Sequence, residues 1–442
     1  MLEVNIDHEC IKIEGLSEKL NINVKFGACR SNSKGYFFDI VDFYNRKIDR
    51  WSIPLVAIPN AVHLVNSKIS EADIPVSKKF YIKELSTTHV VQASPNGVLF
   101  VNRGNFYNGT SISIIDTRNK KAFVFPDDYD KNPMLYTATG GFSPDYDYWY
   151  FVRWTLEDSL AIATGKKDTA LCEVGRINTE TLEYEFVYEI ETTDEIHQIT
   201  CSPNGRYLIF TSFKSILNVP YPDVNWSEDH KGYQKSHDGG IKPQNVITID
   251  LKTKKNWKTE VLVPVSAHME FDPNDTMVFY VSSHNFSVNR SPEVILEGSG
   301  AITKMRITGN STVIDSVYSD KEFYRLSQHV PFTYQNRTLI AVTNIPNKLD
   351  FIDGLTMNLW RQASFFKASP LDFSVTGNVV SPGYEKAFYS INPSVDGRYV
   401  VLESSENFHI YDLDSDSFME FDVSRYLPYG SNGTGHTRLV GH

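Results

Sequence analysis

Cysteine is scarce in this chain: 442 residues hold four, Cys10, Cys29, Cys172 and Cys201, with no Cys-x-x-Cys pair. That excludes a disulfide scaffold and a zinc ribbon, and it is the usage expected of reduced thiols in a cytoplasmic protein. Positive charge is also short: 43 Lys and Arg against 54 Asp and Glu leave a net charge of −11. Nucleic-acid binding normally needs a basic face, so that class is set aside. No apolar run is long enough for a membrane span. The start, Met1-Leu2-Glu3-Val4-Asn5-Ile6-Asp7, lacks the basic and apolar regions of a secretory leader. There is no Gly-rich phosphate loop, no Gly-x-Ser-x-Gly elbow and no His-Glu-x-x-His.

What the chain has instead is strand after strand, with aromatic residues at 13%. The stretch from Glu195 to Phe210 reads as strand, tight turn, strand, with Ser202-Pro203-Asn204-Gly205 as the turn. Pro presets φ there, and Asn and Gly tolerate the left-handed region. The same frame recurs around Pro95-Asn96-Gly97, Pro144-Asp145, Pro273-Asn274 and Pro393, and without the proline around Gln335-Asn336. An apolar strand follows each. A second hairpin follows most of them, turning at 116–120, 178–181, 250–254, 308–311 and 412–416. Each unit therefore has four antiparallel strands, and units begin near residues 85, 136, 195, 265, 326 and 386. That period predicts an all-β fold, a β-propeller.

The N-terminal hairpin, 35–53, reads as the third and fourth strands of a further blade, with 23–28 as its second. Gly435–Val440 reads as its first strand. The expectation is a seven-bladed propeller of four-stranded antiparallel blades, closed by N- and C-terminal strands, which removes free sheet edges. Residues 1–442 then form a single domain. Its long insertions, at about 155–169, 214–244, 285–298 and 344–362, would all join second to third strands on one face. Long loops of that kind are more often functional than decorative.

The chain has 12 histidines, and five of them, His89, His197, His268, His329 and His436, fall early in a first strand. First strands line the channel of a propeller, so these residues would converge from far apart in sequence. Imidazole is the commonest transition-metal ligand. The spacing predicts that His197, His268 and His329 share one divalent metal, with His89 or His436 as a fourth ligand. The competing reading is that such histidines brace the blades through hydrogen bonds. Arg103, Arg153 and Lys214 end second strands on the same face and would attract an anionic substrate. Tyr136, just before a first strand, is a candidate acid or base.

Two enzyme families share this plan. The Ser-Pro-Asn-Gly turns, the ring of blades and the axial histidines, with Gln328-His329 one blade after His268, resemble the oligogalacturonate lyases. That resemblance implies manganese held by histidines and a glutamine, and removal of a proton beside a uronate carboxyl. More distantly, the axial histidines and a late His436 resemble the carotenoid cleavage oxygenases, which implies iron on four histidines. The function expected is thus a metal-dependent enzyme, with Mn or Fe, acting on a small-molecule or oligosaccharide substrate. A lyase on an anionic sugar leads. A non-haem iron oxygenase on an apolar or aromatic substrate and a non-enzymatic protein-interaction propeller are the alternatives.

Overall fold

The computed structural model describes residues 7–14, 25–32, 35–42, 46–54, 91–105, 109–125, 134–136, 140–155, 157–158, 169–192, 195–213, 243–262, 266–283, 301–319, 326–344, 348–364, 390–394, 396–403 and 407–422. Its elements are strands, paired antiparallel in six sheets. The first sheet holds β1 (Asp7–Lys12), β2 (Lys25–Asn32), β3 (Gly35–Asp42) and β4 (Lys47–Pro54), in the order β1-β4-β3-β2. The second holds β5 (Val91–Ala93), β6 (Val98–Asn105), β7 (Gly109–Asp116), β8 (Lys121–Phe125), β9 (Met134–Tyr136), β10 (Gly141–Phe142), β11 (Tyr148–Thr155), β12 (Ala170–Asn178) and β13 (Tyr184–Thr192).

Four sheets then run in simple sequence order. They are β14 (Glu195–Cys201), β15 (Tyr207–Phe213), β16 (Pro243–Asp250) and β17 (Lys255–Leu262); β18 (Ser266–Phe271), β19 (Val278–Ser283), β20 (Ala301–Thr308) and β21 (Ser311–Ser319); β22 (Leu326–Tyr334), β23 (Arg337–Asn344), β24 (Lys348–Asp353) and β25 (Asn358–Ser364); and β26 (Ser390–Pro393), β27 (Tyr399–Glu403), β28 (Asn407–Asp412) and β29 (Ser417–Asp422).

First strands pack against first strands: β10 on β14, β14 on β18, β18 on β22, β22 on β26, and β2 between β26 and β5. Gln92 of β5 links to Gly140, beside β10, by donating to its carbonyl at 2.9 Å and accepting from its N–H at 2.9 Å. This is a propeller. Apolar clusters fill the spaces between sheets, for example Val278, Tyr280 and Ile302 against Ile340, Val342 and Ile352. Because both faces of a second strand are covered, its residues are buried without alternation, as in Leu208-Ile209-Phe210 and Val400-Val401-Leu402.

The Ser-Pro turns form as read. The Ser202 N–H donates to the Tyr207 carbonyl at 2.8 Å, and its hydroxyl accepts from the Tyr207 N–H at 2.8 Å. Gly205 takes φ +69° and Gly397 φ +70°. The turns between third and fourth strands share a second device. The Asp250 carboxylate accepts from the N–H groups of Lys252 and Thr253, and Lys254 takes φ +57°. Asp116, Asn178 and Asp353 open the same turn, with Lys120, Leu182 and Met357 in the left-handed region.

Several expectations are corrected. The strands make six sheets rather than seven separate blades, because β9 pairs with both β7 and β11 and merges two four-stranded units. In the N-terminal sheet the stretch read as a second strand is the innermost, β2, and the hairpin supplies the second and third strands. Its fourth strand is β1, so the N-terminal segment supplies the outer strand of this sheet. Ile11 and Ile13 are buried between exposed Lys12 and Glu14, the period-2 pattern of an outer strand. Gly435–Val440 lies outside the described residues. The insertion at 344–362 is not a loop: it holds the hairpin β24–β25, turning at Asp353-Gly354-Leu355-Thr356-Met357. The other three insertions do fall between second and third strands, bounded by β11 and β12, β15 and β16, and β19 and β20; most of their residues lie outside the described ones.

Candidate functional site

Three first strands in a row carry the candidate ligands, and each breaks its ladder at the histidine. In β14 the register shifts between Ile196 and Ile199, so that His197 and Gln198 together face Thr211. In β18 it shifts between Ser266 and His268, and His268 stands opposite Ser282. In β22 it shifts between Leu326 and His329, and His329 stands opposite Val342. Such bulges re-aim side chains and gather near functional sites. All three lie near the start of a first strand, at the end where second strands run into third strands.

The histidines do not share one position, however. Hydrogen bonds from Leu251 N–H to Arg206 O, Ile307 N–H to Met277 O and Gly354 N–H to Thr338 O mark equivalent starts of β15, β19 and β23. Four residues on, Phe210, Val281 and Val342 are equivalent, and their partners are Ile199, Met269 and His329. His329 is therefore one step out of frame with His268. Successive strand positions alternate faces, and this offset puts the two positions on opposite faces of neighbouring sheets. Ser282, opposite His268, shares a face with Tyr280, which packs on Val342 and Ile340 of the next sheet. His329 turns back across the same space and meets the Tyr280 carbonyl with Nε2 at 3.1 Å.

His329 is fully buried. A carbonyl only accepts, so Nε2 carries the proton and Nδ1 the lone pair. Among the described residues Nδ1 has no hydrogen-bond partner. Burial pushes the imidazole pKa down to about 4, against a small opposing effect of the Tyr280 bond, so the ring is neutral at neutral pH. A neutral imidazole donating one N–H to a carbonyl, with the other nitrogen open, has the form of a metal-binding histidine. Along the same cross-strand row, Val342 stands opposite Asp350 and Asp350 opposite Gln362. Asp350 is fully buried and accepts from Gln362 Nε2 at 2.8 Å.

Two first-strand glutamines brace the ring. Gln198 donates to the Met269 carbonyl at 2.7 Å and accepts from its N–H at 3.1 Å. Gln92 accepts from Trp149 Nε1 as well as Gly140 N–H. Sequence reasoning passed over both glutamines and Asp350; a lone amide or carboxylate inside an apolar strand was the available signal.

Arg153 is committed elsewhere. Its guanidinium holds the Glu173 carboxylate at 2.8 Å and lies over the Tyr184 and Phe125 rings, 4.9 and 5.5 Å from their centroids. It joins the outer strands of two units and neutralises its own charge there. Tyr136 sits in β9, directly opposite Arg153 in register. Arg103 stands in β6 opposite Ser111. The side chains of Tyr136, Arg103, His197 and His268 are outside the described part, as are Lys214, His89 and His436 altogether. Among the described residues no group of three His, Cys, Asp or Glu gathers within metal-binding reach, and no helix is long and apolar enough to cross a membrane. No known family model matches the chain, and no curated protein sequence matches it either.

Proposed function

We propose that this propeller is a metal-dependent enzyme, with Mn or Fe held by first-strand histidines at the end of the ring where second and third strands connect. One observation supports the reading: His329 is a buried, neutral imidazole whose Nε2–H is fixed by a carbonyl and whose Nδ1 meets no partner among the described residues. A buried acceptor without a partner costs about 1–3 kcal/mol, so it calls for an occupant. The resemblance of the turns and histidines to the oligogalacturonate lyases favours β-elimination on an anionic sugar. Arg153 is engaged by Glu173, so Arg103 and Lys214 remain as the groups to bind the substrate carboxylate. A bound divalent metal supplies charge that acidifies the proton beside that carboxylate. The iron oxygenase, acting on an apolar or aromatic substrate, stands behind it.

A protein-interaction propeller is the second reading, and β21 favours it. Val313, Ile314 and Val317 are 41%, 46% and 52% exposed on that outer strand, where an unpaired edge can accept a partner strand.

Elemental analysis of untagged protein, purified without chelator, tests the proposal. About one equivalent of Mn, with loss of unsaturated product from oligouronates on chelation, is the expected result. Iron moves the reading to the oxygenase. Protein that carries no metal and takes up none on dialysis against Mn(II) or Fe(II) overturns the enzyme reading in favour of the interaction propeller.

A further inference from the structure

We propose that the outer rim formed by β13 and β17 is a homodimer interface. A second copy of this chain, turned about a two-fold axis, sets its acidic β13 against β17 and its basic β17 against β13. This interface is independent of the metal reading.

Charge along the two strands points there. β13 and β17 are the outermost strands of their sheets. Residues 180–191 hold five glutamates, Glu180, Glu183, Glu185, Glu189 and Glu191, and no lysine or arginine. Residues 252–258 hold four lysines, Lys252, Lys254, Lys255 and Lys258, all exposed, and no acid. The strands are neighbours: Asn256 Nδ2 donates to the Tyr188 hydroxyl at 2.7 Å, and Lys258 Nζ to the Glu191 carbonyl at 3.1 Å. Yet the opposite charges do not cancel across that seam. Arg118 takes Glu180, and Arg176 takes Glu185. Among the described residues, Glu183, Glu189, Lys252, Lys254 and Lys255, all exposed, have no ion pair.

A partner of one sign fits this rim poorly. A polyanion drawn by the lysines would meet the glutamates of the next strand, on a chain whose net charge is −11. The same surface turned about a two-fold axis presents the right sign to both strands at once, which is the self-complementarity of an isologous interface. The two seam contacts advance together along both strands, so β13 and β17 run parallel and the rotation opposes each to its mate. With the axis at the level of Asn256 and Tyr188, the Lys252–Lys255 end of β17 meets Glu189 and Glu191 of the second copy. Lys258 then meets Phe186 of that copy, whose ring is 59% exposed and supplies an aromatic anchor beside an ammonium. Isolated exposed ion pairs contribute little; here several act together around that ring.

The test measures the mass of the full-length chain by sedimentation equilibrium. The parent is expected to dimerise, with a Kd that rises more than ~10-fold between ~50 mM and ~500 mM salt as screening tightens. Two charge-reversed variants are compared with it, K252E/K254E/K255E and E189K/E191K, each checked for an unchanged melting temperature. Each alone is expected to be monomeric, because like charges then face each other. Mixed one to one they are expected to pair, since each carries the sign the other has lost. A parent that stays monomeric at ~100 µM, where a Kd of ~10 µM would leave most chains paired, overturns the proposal and leaves the lysines to an acidic partner of another kind. A parent dimer that either variant retains also overturns it, by placing the interface elsewhere. Monomeric variants that do not pair when mixed refute the match of β13 with β17. Should either variant fail to fold, Phe186→Ser, at an exposed position, takes its place. Dimerisation more than ~10-fold weaker at an unchanged melting temperature is then expected, and unaltered dimerisation refutes the interface.

Discussion

Single residues hold this ring together where a turn of one sheet meets the backbone of the next. Gly397 has φ +70°, and a Cβ built on it would lie 1.9 Å from the Thr333 carbonyl oxygen in the neighbouring sheet. Gly309 has φ +61° but nothing within 4 Å of its Cβ position. Both positions need the left-handed region, which costs an L-residue about 1–2 kcal/mol. Only Gly397 adds a backbone clash, worth about 1–3 kcal/mol more once neighbours shift. Gly397→Ala is therefore expected to destabilise the protein distinctly more than Gly309→Ala, read from urea midpoints. Equal losses would mean that the two sheets are not seated as described. The sequence showed Gly397 as a turn glycine, through Pro393 and the following strand. It could not show the Thr333 contact, which depends on how neighbouring sheets seat. His329 makes the same point at the candidate site: its spacing looks like that of His268, and only the bulge at Ser327-Gln328 reveals the one-step offset.

Strands and turns follow the same logic with more repetition. Apolar runs such as Leu208-Ile209-Phe210 and Leu339-Ile340-Ala341-Val342 were legible because both faces are buried. The hairpin β24–β25 was passed over, although Asp353-Gly-Leu-Thr-Met357 repeats the turn of Asp250-Leu-Lys-Thr-Lys254; Gly354 and the nearby Asn and Pro residues gave the stretch the look of a loop. In these turns one carboxylate caps two N–H groups. At Asp250 it also takes Arg206 at 2.7 Å, and that guanidinium holds the carboxyl pKa down to about 2 against an ordinary 3.8. A depressed folded-state pKa means a contribution that is complete above 3.8 and lost as pH falls toward 2. Asp250→Asn should keep the turn acceptor and lose the ion pair. Its melting temperature is expected to sit a few degrees below the parent at pH 7 and to converge with it as pH approaches 2. A difference that persists unchanged at acid pH would assign the loss to packing. Asp250→Ala, which also uncaps the turn, should cost about 1 kcal/mol more, by analogy with helix caps.

At the scale of the whole molecule, the question is what keeps the first sheet in the ring. β1 pairs with β4 along its length, from Asp7 opposite Ser52 to Lys12 opposite Lys47. The chain then runs on into the next sheet: Glu14 N–H donates to the Lys120 carbonyl at 2.8 Å, and Ala122 N–H donates to the Glu14 carbonyl at 2.9 Å. Ile11 and Ile13 are buried in one cluster with Ile48, Ala93, Leu99, Val101, Ile115 and Ala122, which come from both sheets. One short segment thus completes the outer edge of the first sheet and ties it to the second. Removing residues 1–14 would bare the β4 edge and forfeit two buried isoleucines, each worth about 1.5–3 kcal/mol. Because a closed ring shares its stability among neighbours, the loss should appear as a lower, broader melting transition of the entire protein and as protease sensitivity in the first sheet. The milder pair Ile11→Ser and Ile13→Ser should move the transition in the same direction while leaving the β1 backbone available to pair. A truncated chain melting within about two degrees of the parent would show that the segment merely lies on the ring, and that the seam between β26 and β2 is held by the first strands alone.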